Sequence, residues 1–180
     1  MEQKYYEMKI AGLTRQLPIC AVSDTLDIAG FVMFSDVEIT IAAATELLKK
    51  CPEFDVMITA ESKGIPLTYE MSRQSGKQYY LARKGVKVYM RDPICVEVKS
   101  ITTAASQKLY LDRNYADEMK GKRVLIVDDV ISTGESLRAL EELVNAAGGN
   151  IVGKATVLAE GDAADRDDII FLEPLPLFFK

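Results

Sequence analysis

Short apolar runs bounded by polar or turn-forming residues recur along the chain and predict buried strands. The three clearest runs are FDVMITA (54–60), RVLIVDDV (123–130) and IVGKATVLA (151–159). Elsewhere, apolar residues recur at helical spacing. Helices are therefore predicted over 39–50, 65–75 and 137–147. Strands that alternate with helices indicate an α/β fold with a parallel sheet, and ligands in such sheets bind at the carboxyl ends of the strands.

The flanking segments follow weaker patterns. Residues 1–34 mix short apolar pieces with glycine and proline, which predicts an irregular or lightly stranded segment rather than a helix. Ser35-Asp36-Val37-Glu38 has the spacing of a capping box, so the first helix is expected to begin there. The tail IIFLEPLPLFF (169–179) contains two prolines, which confine it to a sheet edge or a covering segment.

The stretch between the second helix and the strand at 123–130 predicts several shorter strands. They are YYLARK (79–84), VKVYM (86–90), ICVEVKSI (94–101) and KLYLDR (108–113). Residues TTAASQ (102–107) are small and polar and offer little surface to pack. A mobile loop is therefore predicted over 99–108.

Composition restricts the classes of function. The 180 residues are 48% hydrophobic and contain no repeat or linker, which fits one domain spanning residues 1–180. A net charge of -5 disfavours non-specific binding to nucleic acid or to anionic membranes. No apolar run reaches roughly 18 residues, so a soluble cytoplasmic protein is expected.

Two residue counts narrow the chemistry further. The sequence contains no histidine, which excludes His-dependent catalytic triads and His-ligated zinc. The three cysteines, Cys20, Cys51 and Cys95, are odd in number and widely spaced, which fits reduced structural thiols. Any bound metal is therefore expected to be a hard ion such as Mg²⁺ held by oxygen atoms.

The most informative motif is VLIVDDVISTGES (124–136), in which a predicted buried strand ends on two carboxylates and a hydroxyl-rich turn follows. A receiver domain would carry this stretch near the start of a doubly wound domain of roughly 100 residues or more, whereas only 44 residues follow Ser136. A nucleoside triphosphatase would need a phosphate-binding loop. The only match, GGNIVGK (148–154), leads from a helix into a strand, and Ala155 replaces the required hydroxyl residue.

A third interpretation uses the whole stretch. Backbone N–H groups in the turn Ile131 to Glu135, together with the N-terminus of the following helix, suit a phosphate monoester. Asp128 and Asp129 precede this turn and suit hydroxyl groups. A ligand that carries a phosphate at one end and a vicinal diol a short distance away is a ribose 5-phosphate.

The stretch VLIVDDVISTGES also resembles the signature of the type I phosphoribosyltransferase family: four apolar residues, two acidic residues, a short variable stretch and then Thr-Gly. The resemblance extends over most of the chain and is greatest to the adenine branch and its xanthine-using relatives. It implies that Asp128 and Asp129 hold the ribose hydroxyls of phosphoribosyl pyrophosphate. The implied 5-phosphate-binding residues are Ile131, Ser132, Thr133, Gly134, Glu135 and Ser136.

The same resemblance places the pyrophosphate in two other segments. Glu61-Ser62-Lys63-Gly64 stands where the family has its pyrophosphate loop, and we expect a cis peptide at Glu61-Ser62. Lys63 replaces the arginine usual in the adenine branch and is a predicted catalytic residue with the two aspartates. RKGVK (83–87) resembles the family's basic segment, often contributed by the other subunit of a dimer. The implied pyrophosphate-binding residues are Glu61, Ser62, Lys63, Gly64, Arg83, Lys84 and Lys87.

The resemblance implies less about the base. LDIAGFVMFSD (26–36) resembles the hood over the base, and 161–180 would complete this cover. The implied base-binding residues are Val32, Met33, Phe34 and Leu158. The family's loop carboxylate would fall near Thr103, where the sequence has none, so the base stays open between adenine, which is favoured, and xanthine or another 6-oxopurine.

The expected reaction is transfer of ribose 5-phosphate from phosphoribosyl pyrophosphate to a purine base, as in purine salvage. Mg²⁺ would be held mainly through the diphosphate of the ligand rather than by a protein metal site. A homodimer is expected. A regulator that binds phosphoribosyl pyrophosphate without catalysis is the alternative from another class, although the chain lacks the basic helix-turn-helix pattern that a DNA-binding regulator needs.

Overall fold

The computed structural model describes residues 3–99 and 106–180. The strands are β1 (Tyr5–Ile10), β2 (Leu13–Ala21), β3 (Leu26–Ala29), β4 (Val56–Ala60), β5 (Gln78–Ala82), β6 (Ile94–Lys99), β7 (Ser106–Leu111), β8 (Arg123–Ile131), β9 (Asn150–Glu160), β10 (Ile170–Leu175) and β11 (Leu177–Phe179). The helices are α1 (Val37–Lys50), α2 (Ile65–Ser75), α3 (Arg113–Met119), α4 (Glu135–Ala146) and a 3-10 helix over Gly161–Asp165.

A five-stranded sheet in the order β10-β9-β8-β4-β5 forms the centre of the molecule, and every neighbouring pair in it is parallel. All five residues of β4 are buried, as a strand covered on both faces requires. One face packs against α4, α3 and the β6–β7 hairpin, and the other against α1, α2 and the N-terminal strands. The parallel α/β fold class is therefore confirmed.

A second, antiparallel sheet in the order β1-β2-β3-β11 covers one side of this core, and we call it the hood sheet. The first 34 residues are thus more stranded than the lightly stranded segment predicted. The hairpin between β1 and β2 turns at Ala11 and Gly12, both with positive φ, which suits the twist of two-residue hairpins. The buried residues Met8 and Ile10 alternate with exposed residues, and this two-residue period is the sequence pattern that indicates the strand β1.

Several boundaries differ from the sequence-based expectation. Segment 86–90 contains no strand and instead forms a turn closed by the Met90 N–H on the Lys87 carbonyl. The strand predicted over 108–113 ends at Leu111, because the Asp112 side chain accepts a hydrogen bond from the Asn114 N–H and caps α3. Helix α3 itself was not predicted.

The predicted mobile loop over 99–108 is too wide. Lys99 ends β6 and residues 106–108 begin β7, and the two strands pair through Lys99 and Ser106. The remainder of that prediction, including the position near Thr103, lies outside the described residues.

Two helices show how local sequence set the remaining boundaries. Helix α1 is capped by Asp36, which accepts a hydrogen bond from the Ile39 N–H, so the cap lies one residue after the predicted Ser35. Helix α2 spans 65–75 as predicted and stops at Gly76, whose φ is 69°.

Across residues 3–99 and 106–180, none of the helices has the length and apolar character needed to cross a membrane. Cys20, Cys51 and Cys95 are free thiols.

Candidate active site

The acidic pair lies at the carboxyl end of β8, in the middle of the parallel sheet. Asp129 is only 4% exposed, and its N–H donates a 2.9 Å hydrogen bond to Oδ1 of Asp128. Its own Oδ2 is buried without a hydrogen-bond partner in the described part of the chain. A buried carboxylate oxygen with no partner is costly, so this atom is suited to a hydroxyl or a cation supplied by a ligand.

Burial governs the titration of both carboxyls. Burial, reinforced by the neighbouring charge of Asp129, raises the pKa of Asp128 to about 7. Burial also raises the pKa of Asp129, and the Lys63 ammonium opposes that rise. The two carboxyls titrate as a coupled pair, because each charge raises the cost of forming the other.

The turn after β8 has the form of an anion-binding site. Ser132 and Thr133 are exposed, and Gly134 adopts φ 79° immediately before α4. The N-cap of α4 is Gly134, which has no side chain to cap the helix, so the partial positive charge of that helix end faces the turn. Asp128 and residues 130–137 enclose a small cavity of about 50 Å³ at this point.

The loop after β4 approaches the acidic pair from the neighbouring strand. The Glu61-Ser62 peptide is cis, as expected from the resemblance. A Cβ added to Gly64 would lie 2.5 Å from the Thr59 hydroxyl and 3.0 Å from Oδ1 of Asp128. Only glycine therefore fits where this loop crosses β8.

Glu61 joins this loop to the basic segment after β5. Its Oε1 lies 2.7 Å from Nε of Arg83, and its Oε2 accepts a 2.8 Å hydrogen bond from the Lys84 N–H. Both side chains of the ion pair are mostly buried, with 21% and 24% exposure for Glu61 and Arg83. Both oxygens of the Glu61 carboxylate therefore bind the basic segment. An anion bound beside this loop would contact groups other than the Glu61 side chain.

One pocket of about 180 Å³ brings together seven of the predicted residues. It is lined by Ala60, Glu61, Ser62, Lys63, Lys84, Asp128, Asp129, Val130 and Ser136. Within the described residues, neither Arg83 nor Lys87 lines it, because Arg83 pairs with Glu61 and Lys87 lies in the following turn. Residues predicted for the diol and for the pyrophosphate therefore line this pocket together with Ser136, and the rest of the predicted 5-phosphate turn lines the adjoining small cavity.

The four predicted base-binding residues lie apart from that pocket. Met33 and Leu158 are buried in the apolar cluster beneath the hood sheet, with exposures of 1% and 0%. Val32 and Phe34 are exposed on the hood side. The side chains of Met33 and Leu158 are core, so Met33 would reach a base only through its backbone.

Three further residues belong to this region and were not predicted. The hydroxyl of Thr59 is buried against Gly64. Glu160 ends β9, where burial raises its pKa and Lys63 opposes the rise. Arg166 lies against Gly134. Glu160 carried the same signal as Asp128, a carboxylate at the end of a buried strand, whereas the contact of Arg166 has no local sequence signal.

The donor set fits Mg²⁺ only with help from a ligand. Among residues 3–99 and 106–180, no three acidic or thiol side chains are placed to hold a metal ion by themselves. Asp128 and Asp129 offer carboxylate oxygens in one pocket, which matches the usual Mg²⁺ arrangement of one or two carboxylates plus substrate phosphates.

Fold and site together define a parallel α/β protein with an acidic pair and a phosphate-type turn at its strand ends, where this class binds ligands. The chain belongs to the phosphoribosyltransferase family: the model of the phosphoribosyl transferase domain matches residues 35–175. It is 32% identical over 129 residues to the adenine phosphoribosyltransferase of Cenarchaeum symbiosum, covering 71% of this chain and 73% of that one.

Other relatives are named for different purine bases. The chain is 29% identical over 122 residues to the xanthine phosphoribosyltransferase of an Exiguobacterium species, covering 67% of this chain and 62% of the relative. It is 33% identical over 114 residues to the hypoxanthine/guanine phosphoribosyltransferase of Methanothrix thermoacetophila, covering 63% and 56%. The alignment thus spans less than two thirds of both relatives.

Solved structures agree on the fold. The adenine phosphoribosyltransferase of Thermoanaerobacter pseudethanolicus superimposes with a TM-score of 0.68 at 21% identity, covering 79% of this chain and 84% of that one. The enzyme from Saccharomyces cerevisiae gives 0.64 at 18% identity, covering 94% and 92%.

Proposed function

We propose that this protein transfers ribose 5-phosphate from phosphoribosyl pyrophosphate to a purine base, giving a nucleoside monophosphate and pyrophosphate. The observation that carries the proposal is the shared pocket of Asp128, Asp129, Ser136 and the loop 61–63. A phosphate turn, a carboxylate pair suited to a diol and a cationic loop surround two adjoining cavities that share Asp128, Val130 and Ser136, and they match the three parts of that ligand in order.

The two carboxylates would fix the ribose. The partnerless Oδ2 of Asp129 accepts a hydrogen bond from one hydroxyl, and Asp128 accepts one from the other. At the same time, backbone N–H groups of the turn and the N-terminus of α4 hold the 5-phosphate. The sugar is thereby bound at both ends, which orients its anomeric carbon for displacement.

The cationic side would stabilise the leaving group. As the bond to pyrophosphate breaks, positive charge develops on the ribose and negative charge on the diphosphate. Lys63 and Lys84 line the pocket and face that negative charge. Mg²⁺, bound mainly through the diphosphate, would neutralise part of it when present.

Among bases, we place adenine first. The relative with the larger coverage is named an adenine enzyme, while the xanthine and hypoxanthine/guanine names occur at similar identity.

We also propose a homodimer built around the 83–90 segment, because Val86, Val88 and Tyr89 are largely exposed there. Sedimentation as a monomer at working concentrations would contradict that assembly.

The reaction is tested by measuring pyrophosphate release from phosphoribosyl pyrophosphate and Mg²⁺ with adenine, hypoxanthine, guanine, xanthine and orotate in parallel. Turnover with adenine supports the full proposal, and turnover confined to xanthine or another 6-oxopurine corrects the base alone. Activity confined to orotate would overturn the purine assignment. Tight binding of phosphoribosyl pyrophosphate without turnover would support the regulator instead.

The role of the acidic pair is tested by the double variant Asp128→Asn, Asp129→Asn. We expect turnover to fall by about a thousandfold or more, because each asparagine loses the charge-assisted hydrogen bond that the aspartate carboxylate makes to the sugar. The circular dichroism spectrum should be unchanged. Near-normal activity of a folded double variant would show that the diol is bound elsewhere.

A further inference from the structure

Arg166, which follows the 3-10 helix, lies directly against the phosphate turn. A Cβ added to Gly134 would be 2.9 Å from Nη1 of Arg166. The guanidinium therefore occupies the space that the side chain of any other residue at position 134 would fill. Arg166 does not line the phosphate cavity in the described part of the chain, so it contacts the turn from outside that cavity.

The orientation of this guanidinium is fixed by a bidentate ion pair. Nε and Nη2 of Arg166 bind the two carboxylate oxygens of Asp168 at 2.8 and 2.7 Å. These two nitrogens form one edge of the planar group, which directs Nη1 away from Asp168 and toward Gly134. The arginine thus spans the gap between the tail and the turn.

A second cation ties the same ion pair to the core. Nζ of Lys154, on β9, lies 2.6 Å from Oδ2 of Asp168 and 2.5 Å from Oε1 of Glu141, on α4. The Lys154 side chain is only 17% exposed, so water screens these contacts less than it screens a surface pair. The network therefore joins β9, the tail and α4, the helix whose N-terminus forms the phosphate turn.

We propose that Arg166 is a positioning residue that holds the phosphate turn in its binding geometry. The N-cap of α4 is a left-handed glycine, which supplies no capping side chain and allows its backbone more conformations than other residues do. A fixed guanidinium against Gly134 restricts that movement before the ligand arrives. Preorganisation of this kind lowers the entropic cost of binding and so strengthens it without adding a ligand contact.

This inference rests on the proposed function, and Arg138 provides the matched control. Arg138 is also an arginine near the start of α4, but it is 55% exposed and pairs with Glu142 one turn along the same helix. With the preferred base saturating, Arg166→Ala is expected to raise KM for phosphoribosyl pyrophosphate roughly tenfold while kcat changes less than about twofold. Arg166→Lys should fall between, and Arg138→Ala should leave both constants unchanged.

Hydrogen exchange of the unliganded proteins gives a readout that does not need activity. In Arg166→Ala, amides over 131–138 should exchange faster than in wild type, while those of β4 should not; Arg138→Ala should show neither change. Equal effects of the two substitutions would overturn the inference, as would faster exchange throughout the chain. If wild type turns over none of the bases, the proposed function fails, and the exchange comparison alone decides the role of Arg166.

Discussion

The two ends of the proposed ligand site are built in different ways. The phosphate end, residues 128–136, is one continuous segment that runs from β8 through a turn into α4. The pyrophosphate end combines 61–64, after β4, with 83–84, after β5, and Glu61 reaches across 23 residues to join them. One end is formed by local geometry, and the other depends on the register of two parallel strands.

The two ends also differ in what stabilises them. The phosphate end relies on backbone N–H groups and carboxyls that β8 and α4 supply, with Arg166 against the turn between them. At the pyrophosphate end the exposed Lys84 is positioned through its backbone by Glu61. The geometry of the pyrophosphate end therefore depends on one carboxylate, and the close approach of Gly64 to Asp128 should couple the two ends.

The largest expected effect on stability comes from Gly64→Ala, which acts on that contact. The new methyl would lie 2.5 Å from the hydroxyl of Thr59 and 3.2 Å from the Asp128 backbone, so the loop or β8 must shift. We expect a loss of about 3 kcal/mol in unfolding free energy, equivalent to roughly 8 °C in Tm, and at least tenfold lower turnover. Thermal unfolding and steady-state kinetics measure both.

Gly85→Ala is the matched control for Gly64→Ala. A Cβ at Gly85 meets nothing within 4 Å, and the residue lies beside the same basic segment. Its Tm should stay within about 2 °C of wild type. If both alanines are tolerated equally, the two ends of the site are not coupled through Gly64.

The next effect concerns the buried charge at the phosphate end. The pKa of Asp128 is raised to about 7, so the folded protein binds a proton that the unfolded chain releases near pH 4. This contribution to stability is fully present below about pH 4 and is lost as pH rises through about 7. Asp128→Asn should therefore raise Tm at pH 8, without Mg²⁺ or ligand, by about 5 °C, and by much less at pH 5.

An acidic residue at the opposite end of the sheet should behave in the reverse way. Hydrogen bonds from Arg123 lower the pKa of Asp55 to about 2, so its contribution is present above about pH 4 and lost as pH falls through about 2. Asp55→Asn should lower Tm at pH 8, where Asp128→Asn raises it. A decrease in Tm for both variants would show that the buried, ionised carboxylate of Asp128 does not destabilise the folded protein at pH 8.

The difference between locally built and distantly built regions also explains how much of the molecule the sequence predicts. Features encoded within a short stretch were predicted closely: the span of α2, the buried strands β4, β8 and β9, and the turn at 132–134. In each of them, the residues that set the conformation are neighbours in the chain. The parallel sheet followed from their alternation.

Features that depend on distant partners were not predicted. The ion pair of Arg83 with Glu61 depends on the register of β4 and β5, and no local pattern predicts it. VKVYM has strand-like residues yet forms a turn, since local propensity does not decide without a pairing partner. The contact of Arg166 with Gly134 joins residues 32 positions apart and leaves no pattern in the sequence.

The smallest expected effect tests the pyrophosphate end directly. Glu61→Gln keeps the size of the side chain but removes its charge, which weakens the pairing with Arg83 and the hydrogen bond from the Lys84 N–H. We expect about a fivefold rise in KM for phosphoribosyl pyrophosphate, or about 1 kcal/mol. The affinity for ribose 5-phosphate, which lacks the diphosphate, should be unchanged.

Glu53→Gln separates this effect from a general loss of charge. Glu53 also pairs with an arginine, Arg123, but it is 89% exposed and lies at the opposite end of the sheet, so its substitution should leave both affinities unchanged. Isothermal titration with the two ligands distinguishes the cases. If Glu61→Gln weakened ribose 5-phosphate and phosphoribosyl pyrophosphate equally, Glu61 would act on the whole pocket, and the two ends of the site would not be separately built.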